Sequence, residues 1–327
     1  MATTSLISSE LLCIDPEAET ARIADSIRET VPGQFKRKGA VVAVSGGIDS
    51  SVVAALCARA LGPERVIALF LPESESSSDS LRLGKKLADS QGIRSFTEDI
   101  TEILKGAGCY RRRDEAVRSV VPEYSEGCRM KIALPDLVSS DRYAIFNIVV
   151  QLPSGEIRKA RLPLAAYLGI LAATNFKQRT RKMMEYYYAD RFHYAVAGTP
   201  NRLEYDQGFF VKGGDGLADF KPIAHLYKSQ VYQLAAHLGV PEEIQARPST
   251  TDTYSLEQSQ EEFYFSIPLA KMDLCLYGKD HGIPASEMAP AVDLSADQVN
   301  RVYDLIDAKR KVARYLHLSP VLVTELH

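Results

Sequence analysis

A glycine turn between an apolar run and a helix constrains the fold of this chain more than any other feature. Residues 41–44 (VVAV) are typical of a buried strand in a parallel sheet, and residues 51–61 (SVVAALCARAL) have the pattern of a buried helix. Between them, Gly46 and Gly47 allow the backbone to approach a ligand closely, and the first helical turn presents free N–H groups. The sequence therefore predicts a strand–turn–helix unit that binds phosphate.

The turn itself, SGGIDSS at residues 45–51, differs from two common phosphate-binding loops. It lacks the Gly-Lys-Ser/Thr of a Walker A loop, and it lacks the third glycine of a dinucleotide-binding fingerprint. It resembles instead the pyrophosphate loop of enzymes that split ATP between its α- and β-phosphates to adenylate a substrate. A plain glycine turn that only joins strand to helix is the alternative that the loop alone leaves open.

Alternating strands and helices predict an α/β fold, a doubly wound parallel sheet flanked by helices. After the first strand, further strands are predicted at 66–71, 93–99 and 194–199. Helices are predicted at 17–30, 51–61, 80–91, 163–189, 221–238 and 296–315. Ligands bind beyond the carboxyl ends of such strands, so the loops at Ser45, Pro72 and Asp99 are expected to border the site.

The region 105–160 interrupts this alternation. Two apolar runs, 146–152 and 157–162, flank a short turn that contains proline and glycine, and they predict a β-hairpin inserted at the edge of the fold. The basic cluster 110–113 (YRRR) is more typical of a solvated surface than of a binding patch, and no role is assigned to it.

Two parts of the chain are expected. Residues 1–275 form a nucleotide-binding domain that contains the insertion, and residues 276–327 form a C-terminal helical extension packed on the same domain. Apolar residues of the 296–315 helix recur at helical spacing, so this helix is expected to bury one face. Its basic residues are expected to point outward: Arg301, Lys309, Arg310, Lys311 and Arg314.

Composition limits the functional classes. The 327 residues are 46% hydrophobic and 25% charged, which suits a globular protein with a large core. A formal net charge of −3 gives no general attraction to nucleic acid or to anionic membranes. Membrane-spanning runs, a secretory signal and metal-binding spacings of the five cysteines are not recognised. A cytoplasmic protein without nucleic-acid or membrane partners is expected.

Four segments, in order, resemble the family of ammonia-dependent NAD synthetases, which are N-type ATP pyrophosphatases. The segments are 45–51 (SGGIDSS), 175–183 (NFKQRTRKM), 198–244 (with GFFVKGGDGLADF) and 248–262 (PSTTDTYSLEQSQEE). The third is the most specific, because several of its short motifs recur together at the family's spacing. The resemblance implies a homodimer that uses ATP and Mg²⁺ to join ammonia to an adenylated carboxylate, deamido-NAD or an analogue.

The resemblance also implies roles for individual residues. Oxygen ligands suit Mg²⁺, and the implied ligands are Asp49, Glu204 and a hydroxyl from Ser249 or Thr250. The implied ATP-binding residues are Ser45, Gly46, Gly47, Asp49, Ser50, Ser51, Arg179, Thr199, Lys228 and Ser249. Considered without the family, Lys228 and Arg179 are explained at least as well as solvated surface cations.

The resemblance places Lys212 and Asp215 in the loop that meets the second substrate. They are the implied catalytic residues together with Lys228, since a carboxylate can hold ammonium and accept a proton as the amine attacks. Asp219, in the same loop, is either functional or a cap for the following turn.

Three departures from the family pattern concern the second substrate. Gly213 replaces a usual aromatic residue, 248–262 differs from the usual motifs, and 105–160 is longer than in compact bacterial members. Three interpretations stay open: an NAD synthase, an amide ligase of the same lineage acting on another carboxylate, and a scaffold without catalysis. A fused glutaminase is not recognised, so ammonia is expected to be free or supplied by a separate partner.

Overall fold

The computed structural model describes residues 7–133, 146–250 and 253–324. Its strands are β1 (Ala40–Ala43), β2 (Val66–Phe70), β3 (Arg94–Thr97), β4 (Arg129–Ala133), β5 (Asn147–Gln151), β6 (Ile157–Arg161) and β7 (Ala195–Ala197). The α-helices are α1 (Pro16–Arg28), α2 (Ile48–Leu61), α3 (Ser78–Ser90), α4 (Thr101–Gly106), α5 (Cys109–Arg118), α6 (Leu164–Phe192), α7 (Arg202–Gln207), α8 (Lys228–His237), α9 (Glu242–Gln245), α10 (Leu269–Asp280), α11 (Ala285–Val292) and α12 (Ala296–His317). Short 3-10 helices lie at Ser9–Leu12 and Pro63–Arg65, and π-helical turns at Glu29–Gln34 and Glu261–Phe265.

Four of the strands form a parallel sheet in the order β3-β2-β1-β7. Val41 of β1 lies beside Ile67 of β2 on one side and Val196 of β7 on the other. The predicted doubly wound α/β fold is confirmed, and the strands predicted after β1 correspond to β2, β3 and β7. The chain runs outward from β1 to β3 and then returns to the other side of β1, so a ligand crevice is expected at the carboxyl end of β1.

Alternate residues of the sheet face two helical layers. Val42 and Ala68 belong to a buried cluster with α1, α2, α3 and α8. Val41, Ile67 and Leu69 belong to a second cluster, which includes residues of α4 and α6. Because helices cover both faces, the central strands have continuous apolar runs instead of alternating ones.

The region 105–160 contributes a second, antiparallel sheet in the order β4-β5-β6. The predicted hairpin is confirmed as β5 and β6, but the sequence analysis missed β4, whose sequence RMKIA mixes basic and apolar residues. This sheet shares a buried cluster with Val117 of α5, Ile170 of α6 and the more distant Tyr254. The inserted sheet is thereby joined to α6, the long helix that also covers the parallel sheet.

The helix predicted after Pro222 begins later than expected, at Lys228. Asp273 of α10 explains this start, because its carboxylate accepts hydrogen bonds from the backbone N–H groups of Lys228 (3.1 Å) and Ser229 (2.7 Å). A carboxylate in this position satisfies the free N–H groups of the first turn and favours helix initiation there. The predicted end of the helix is confirmed, since Gly239 follows it with φ of +67°.

The three last helices, α10, α11 and α12, share a buried cluster with Leu12 and Leu203. The boundary expected at residue 275 falls inside α10, and a division of the chain there stays a prediction. The outward orientation expected for Lys309 is wrong, because Lys309 lines a cavity. Arg113 of the basic cluster, to which no role was assigned, is only 4% exposed. Among the described helices, none combines the length and the apolar character that a membrane span needs.

Candidate active site

The turn after β1 adopts a backbone that glycine accepts readily. Gly46 has φ of +74°, and a Cβ atom there would lie 2.4 Å from the backbone oxygen of Ser80. Gly47 is the N-cap of α2 and provides no capping side chain, so N–H groups of the first turn remain available to an anion. The hydroxyls of Ser45 and Ser50 lie 3.2 Å apart beside this turn.

A cavity of about 1020 Å³ opens at this turn, and two predicted loop residues do not line it. Ser51 is fully buried, and its hydroxyl donates to the carbonyl of Gly47 at 2.8 Å. Gly46 packs against the neighbouring backbone, so both residues shape the turn, and their direct contact with ATP stays a prediction. The other predicted residues line the cavity: Ser45, Gly47, Asp49, Ser50, Arg179, Thr199, Glu204, Lys212, Asp215, Lys228 and Ser249.

Asp49, in the first turn of α2, connects the charged groups of the cavity. Its Oδ2 atom pairs with Nζ of Lys228, and its Oδ1 atom accepts a hydrogen bond from Nδ2 of Asn201 at 2.9 Å. Burial alone lowers the pKa of the Lys228 ammonium, but the negative charges of Asp49 and Glu204 outweigh burial and raise the pKa. With its side chain 3% exposed, Lys228 is a buried cation and not a solvated surface lysine.

Glu204 is held by a capping box at the start of α7. Its Oε2 atom accepts a hydrogen bond from Asn201 N at 3.1 Å, and Asn201 Oδ1 accepts one from Glu204 N at 3.2 Å. Its Oε1 atom accepts a hydrogen bond from Nε2 of Gln260 at 2.9 Å. Burial, and then the negative charge of Asp49, raise the pKa of Glu204 to about 8. A cation bound between the two carboxylates would relieve this repulsion.

The residues predicted to bind Mg²⁺ suit that ion chemically. Asp49 and Glu204 provide carboxylate oxygens that are close enough for their charges to interact. The hydroxyl of Ser249 is buried and has no hydrogen-bond partner in the described ranges of the chain. Mg²⁺ prefers oxygen ligands and usually takes one or two carboxylates from a protein together with substrate phosphates and water. The donor set therefore fits the ion.

Lys212 and Asp215 lie in the loop after α7 and have different attachments. Oδ1 of Asp215 accepts a hydrogen bond from the backbone N–H of Val211 at 2.8 Å, and burial raises the pKa of the Asp215 carboxyl. Lys212 Nζ donates to the carbonyls of Tyr315 (2.9 Å) and Leu318 (3.2 Å) at the end of α12. Asp215 therefore stabilises the loop through a contact within the loop, whereas Lys212 connects the loop to the C-terminal end of α12.

Arg179 and Thr199 complete the set of predicted residues. Thr199 follows β7, at the carboxyl edge of the sheet, where the cavity opens. Arg179 lies on α6, is exposed, and donates from Nε to the carbonyl of Lys212 at 3.3 Å. Its placement joins the middle of α6 to the loop that carries the two predicted catalytic residues.

Two further residues of this loop have backbone roles. Asp219 accepts hydrogen bonds from Val196 N at 2.8 Å and from the Tyr186 hydroxyl at 3.0 Å, so its carboxylate attaches the loop to β7 and α6, a contact that neither of its two considered roles included. Gly213 is exposed with φ of +73°, and a Cβ atom there would have no neighbour within 4 Å. That left-handed backbone suits glycine, and the position offers no ring surface to a ligand.

Sequence reasoning missed six charged residues of the cavity wall: Lys177, Arg181, Lys182, Glu185, Arg247 and Lys309. Lys182 and Glu185 of α6 form an ion pair, with Nζ and Oε2 2.6 Å apart and both side chains 5% exposed. Lys309 of α12 donates to the carbonyl of Tyr264, and its Nζ lies 4.1 Å from the centroid of the Tyr264 ring. The spacing of Lys182 and Glu185 indicated a shared helical face, but only the packed structure shows that this face borders the cavity.

Lys309 leads to a prediction about the pH dependence of stability. Burial lowers the pKa of its ammonium to about 7, whereas lysine in an unfolded chain titrates near ~10.4. Between these values the unfolded chain binds the extra proton, so the folded state gains stability as the pH rises. The variant Lys309→Met lacks this titrating group. We therefore expect the unfolding free energy of Lys309→Met minus that of the wild type to decrease by about 4 kcal/mol between pH 7 and pH 10.

Urea unfolding of both proteins at several pH values measures this difference. Lys279→Met is a suitable control, because Lys279 pairs with Asp307 at 2.6 Å and is 25% exposed. A difference between Lys309→Met and wild type that stays constant across the pH range would contradict the burial of a neutral lysine.

Comparison with known proteins identifies the family. A model of the NAD synthase family matches residues 19–132 and 140–313. The chain belongs to the NAD synthase family. The matched ranges contain every site residue discussed above, from the phosphate turn to Lys309 of α12.

Members of the NAD synthase family from several organisms are similar to this chain over nearly their whole length. The NH(3)-dependent NAD(+) synthetase of Mesorhizobium japonicum is 56% identical over 316 residues, which cover 97% of this chain and 99% of that protein. The Thermotoga maritima protein of the same name is 34% identical over 288 residues, 88% of this chain and 94% of that protein. Because the alignment with the Mesorhizobium japonicum protein covers 97% of this chain, it includes most of the region 105–160.

Solved structures share the fold. The NMN synthetase of Francisella tularensis has a TM-score of 0.62, 21% identity, and coverage of 95% of this chain and 100% of that one. The NH3-dependent NAD synthetase of Campylobacter jejuni has a TM-score of 0.61 with the same identity and coverages. At this identity the similarity establishes the fold alone, which synthetases of different names share.

Proposed function

We propose that this chain is an ammonia-dependent NAD⁺ synthetase, a ligase that converts deamido-NAD, ATP and ammonia to NAD, AMP and pyrophosphate. The proposal rests on the convergence of the phosphate turn, the Asp49–Lys228 pair and Asp215 on one cavity. Its choice of substrate is supported by the 56% identity to the NH(3)-dependent NAD(+) synthetase of Mesorhizobium japonicum.

In the first step, a carboxylate oxygen of the substrate attacks the α-phosphorus of ATP, and pyrophosphate leaves. Ser45 and Gly47, with the first turn of α2, bind the leaving pyrophosphate through N–H and hydroxyl donors, and Lys228 adds a fixed positive charge. Arg179 and Thr199 are assigned to the nucleotide because they border the same cavity. These groups stabilise charge as it develops, which is the main requirement for phosphoryl chemistry.

Mg²⁺ belongs to the same proposal. Asp49, Glu204 and Ser249 would hold the ion, which when bound neutralises charge on the phosphates. The support is the donor set itself, two interacting carboxylates and a buried hydroxyl without a described partner.

In the second step, ammonia attacks the carbonyl carbon of the adenylated carboxylate, and AMP leaves. The nitrogen must lose a proton as the C–N bond forms, and a nearby carboxylate can accept it. Asp215 is assigned this role because it lines the cavity and because burial raises its pKa, which makes its carboxylate a better proton acceptor. Lys212, in the same loop, is assigned to binding the anionic substrate.

The second candidate is an amide ligase of the same family that uses another carboxylate. Gly213 favours this candidate, because an exposed glycine replaces the aromatic residue that is usual there and provides no stacking surface. The two candidates therefore differ in the carboxylate that the enzyme converts to an amide, and identifying that substrate decides between them.

A homodimer is part of the proposal. The long helix α6 carries four exposed apolar residues in two pairs with i, i+4 spacing: Leu164, Leu168, Met183 and Tyr187. Exposed apolar residues that share a helix often mark an interface between proteins. We assign these two exposed patches of α6 to contact with a second copy of the chain.

The decisive experiment supplies the purified protein with ATP, Mg²⁺ and an ammonium salt. Deamido-NAD and nicotinate mononucleotide are offered in separate reactions, and AMP and the amide product are quantified together. We expect AMP and NAD in equal amounts with deamido-NAD, and about 100-fold less product per enzyme with the shorter substrate, because the lost adenylyl half contributes binding energy.

A reaction without carboxylate measures background ATP cleavage. Amide formation from nicotinate mononucleotide alone would support the second candidate. Absence of AMP with either carboxylate from folded protein would contradict the first candidate and would exclude nicotinate mononucleotide as the substrate of the second.

A further inference from the structure

Beside the phosphate turn, a buried set of charged and polar side chains connects three parts of the fold. We call it the Lys177 network, and its members are Glu73, Glu75, Tyr110, Arg113 and Lys177. The two glutamates follow β2, the tyrosine and arginine lie on α5, and the lysine lies on α6. None of these residues belongs to the proposed chemistry.

Lys177 uses its whole donor capacity in this network. An ammonium group has three N–H donors, and they reach Glu73 Oε1 at 2.8 Å, Glu75 Oε2 at 2.6 Å and the carbonyl of Thr253 at 3.1 Å. The side chain of Lys177 is 2% exposed and that of Glu73 is fully buried. Burial alone raises the pKa of Glu73, but the charge of Lys177 and hydrogen bonds from Lys177 and the Tyr110 hydroxyl outweigh burial and lower it, which favours the ionised carboxylate.

The two α5 residues complete the network. Arg113 Nη1 lies 2.6 Å from Glu75, and the Tyr110 hydroxyl donates to Glu73 Oε2 at 2.7 Å. A buried ionic network is a poor source of stability, because the desolvation of its charges offsets much of their attraction. Its value lies in directional contacts, which specify one arrangement of the segments that they join.

A further segment, which Lys177 contacts at Thr253, lines the cavity. We call residues 247–250 and 253–260 the strap. Arg247 donates to Ser80 Oγ at 3.0 Å, Gln260 N donates to the carbonyl of Ser249 at 2.9 Å, and Gln260 Nε2 donates to Glu204 Oε1 at 2.9 Å. The strap is thus attached near the phosphate turn at one end and to a predicted metal ligand at the other. Lys177 provides a charged attachment between them, at Thr253.

We propose that Lys177 is a positioning residue that fixes the strap along the wall of the nucleotide cavity, which Ser249, Asp49 and Glu204 also line. The expected effect of Lys177 on the ATP and Mg²⁺ dependence of activity rests on the proposed function. Its expected effect on the position of the strap does not. Lys177 holds a main-chain carbonyl of the strap while Glu73 and Glu75 hold Lys177, so the position of the strap depends on the loop after β2.

The test removes the buried pair without leaving an unpaired charge. In the double variant Lys177→Met/Glu73→Gln, both charges are neutralised, the side-chain sizes are kept, and the hydrogen bond to Thr253 is lost. We expect amide hydrogens of residues 253–260 to exchange about tenfold faster than in wild type, and the Mg²⁺ concentration for half-maximal activity and the KM for ATP to rise about tenfold. The kcat at saturating ATP and Mg²⁺ should change little.

Lys279→Met is the matched control, because it removes a lysine–aspartate pair between α10 and α12 that includes no residue of the strap. The single variant Lys177→Arg keeps the positive charge and donors, and we expect it to retain most of the protection of residues 253–260. Wild-type exchange in a folded double variant would overturn the inference, as would a loss of kcat with unchanged ATP and Mg²⁺ dependence. If the wild type formed no NAD, the exchange measurement would still decide the structural claim.

Discussion

Replacing Asp49 with Asn is expected to reduce AMP formation from ATP by about 10³-fold, whichever carboxylate is supplied. Asparagine keeps the size of the side chain and can still contact Asn201. It removes the negative charge that compensates Lys228 and that would bind Mg²⁺ in the proposed mechanism. Because a buried cation then lacks its partner, we also expect the protein to lose on the order of 3 kcal/mol of stability.

The measurement is AMP release at saturating ATP and Mg²⁺, at a temperature where unfolding experiments show the variant to be folded. Asp25→Asn is the control, since Asp25 forms an exposed i, i+3 pair with Arg28 on α1 at 2.6 Å. A folded Asp49→Asn protein with near wild-type AMP release would remove Asp49 from the metal and phosphate chemistry.

Replacing Asp215 is expected to separate the two chemical steps. Asp215→Asn keeps an oxygen that can accept the hydrogen bond from Val211 N, so the loop retains its shape, but the side chain can no longer accept a proton. We expect amide formation to fall by about 10³-fold, in the range typical of a lost general base, while the adenylate still forms.

Single-turnover reactions with rapid quench distinguish the steps, because they measure pyrophosphate release and amide formation separately. Asp215→Ala is the comparison variant, since it removes the Val211 contact as well as the carboxylate. If Asp215→Asn forms amide normally and only Asp215→Ala fails, the residue shapes the loop and is not the proton acceptor. Equal loss of both steps in Asp215→Asn would also contradict the assigned role.

The parts of the site that depend on local chemistry could be predicted from the sequence. Gly46 occupies a positive-φ position that few other residues accept, and Asp49 lies in the helical turn that follows it. Such features are set by neighbours in the chain, so a short motif specifies them. The same reason explains the correct prediction of the β5–β6 hairpin, whose turn residues and apolar runs are contiguous.

Contacts between residues that are far apart in the sequence could not be predicted from short motifs. Asp49 and Lys228 are separated by 179 positions, and their pairing depends on Asp273, which sets the start of α8. Lys309 and Arg113 looked like surface residues because a charged side chain carries no sign of whether another element covers it. Their burial depends on the packing of α12 and α5 against segments that the helical period does not reveal.

The contacts of Lys212 give the end of α12 a significance for protein engineering. Its ammonium is held by two main-chain carbonyls, those of Tyr315 and Leu318, so no substitution at either position removes these acceptors. Deleting the chain from residue 315 onward would remove both at once and release the loop that carries Lys212 and Asp215 from this attachment. A shortened chain should therefore keep the residues up to Leu318, so that both acceptors of the Lys212 ammonium remain.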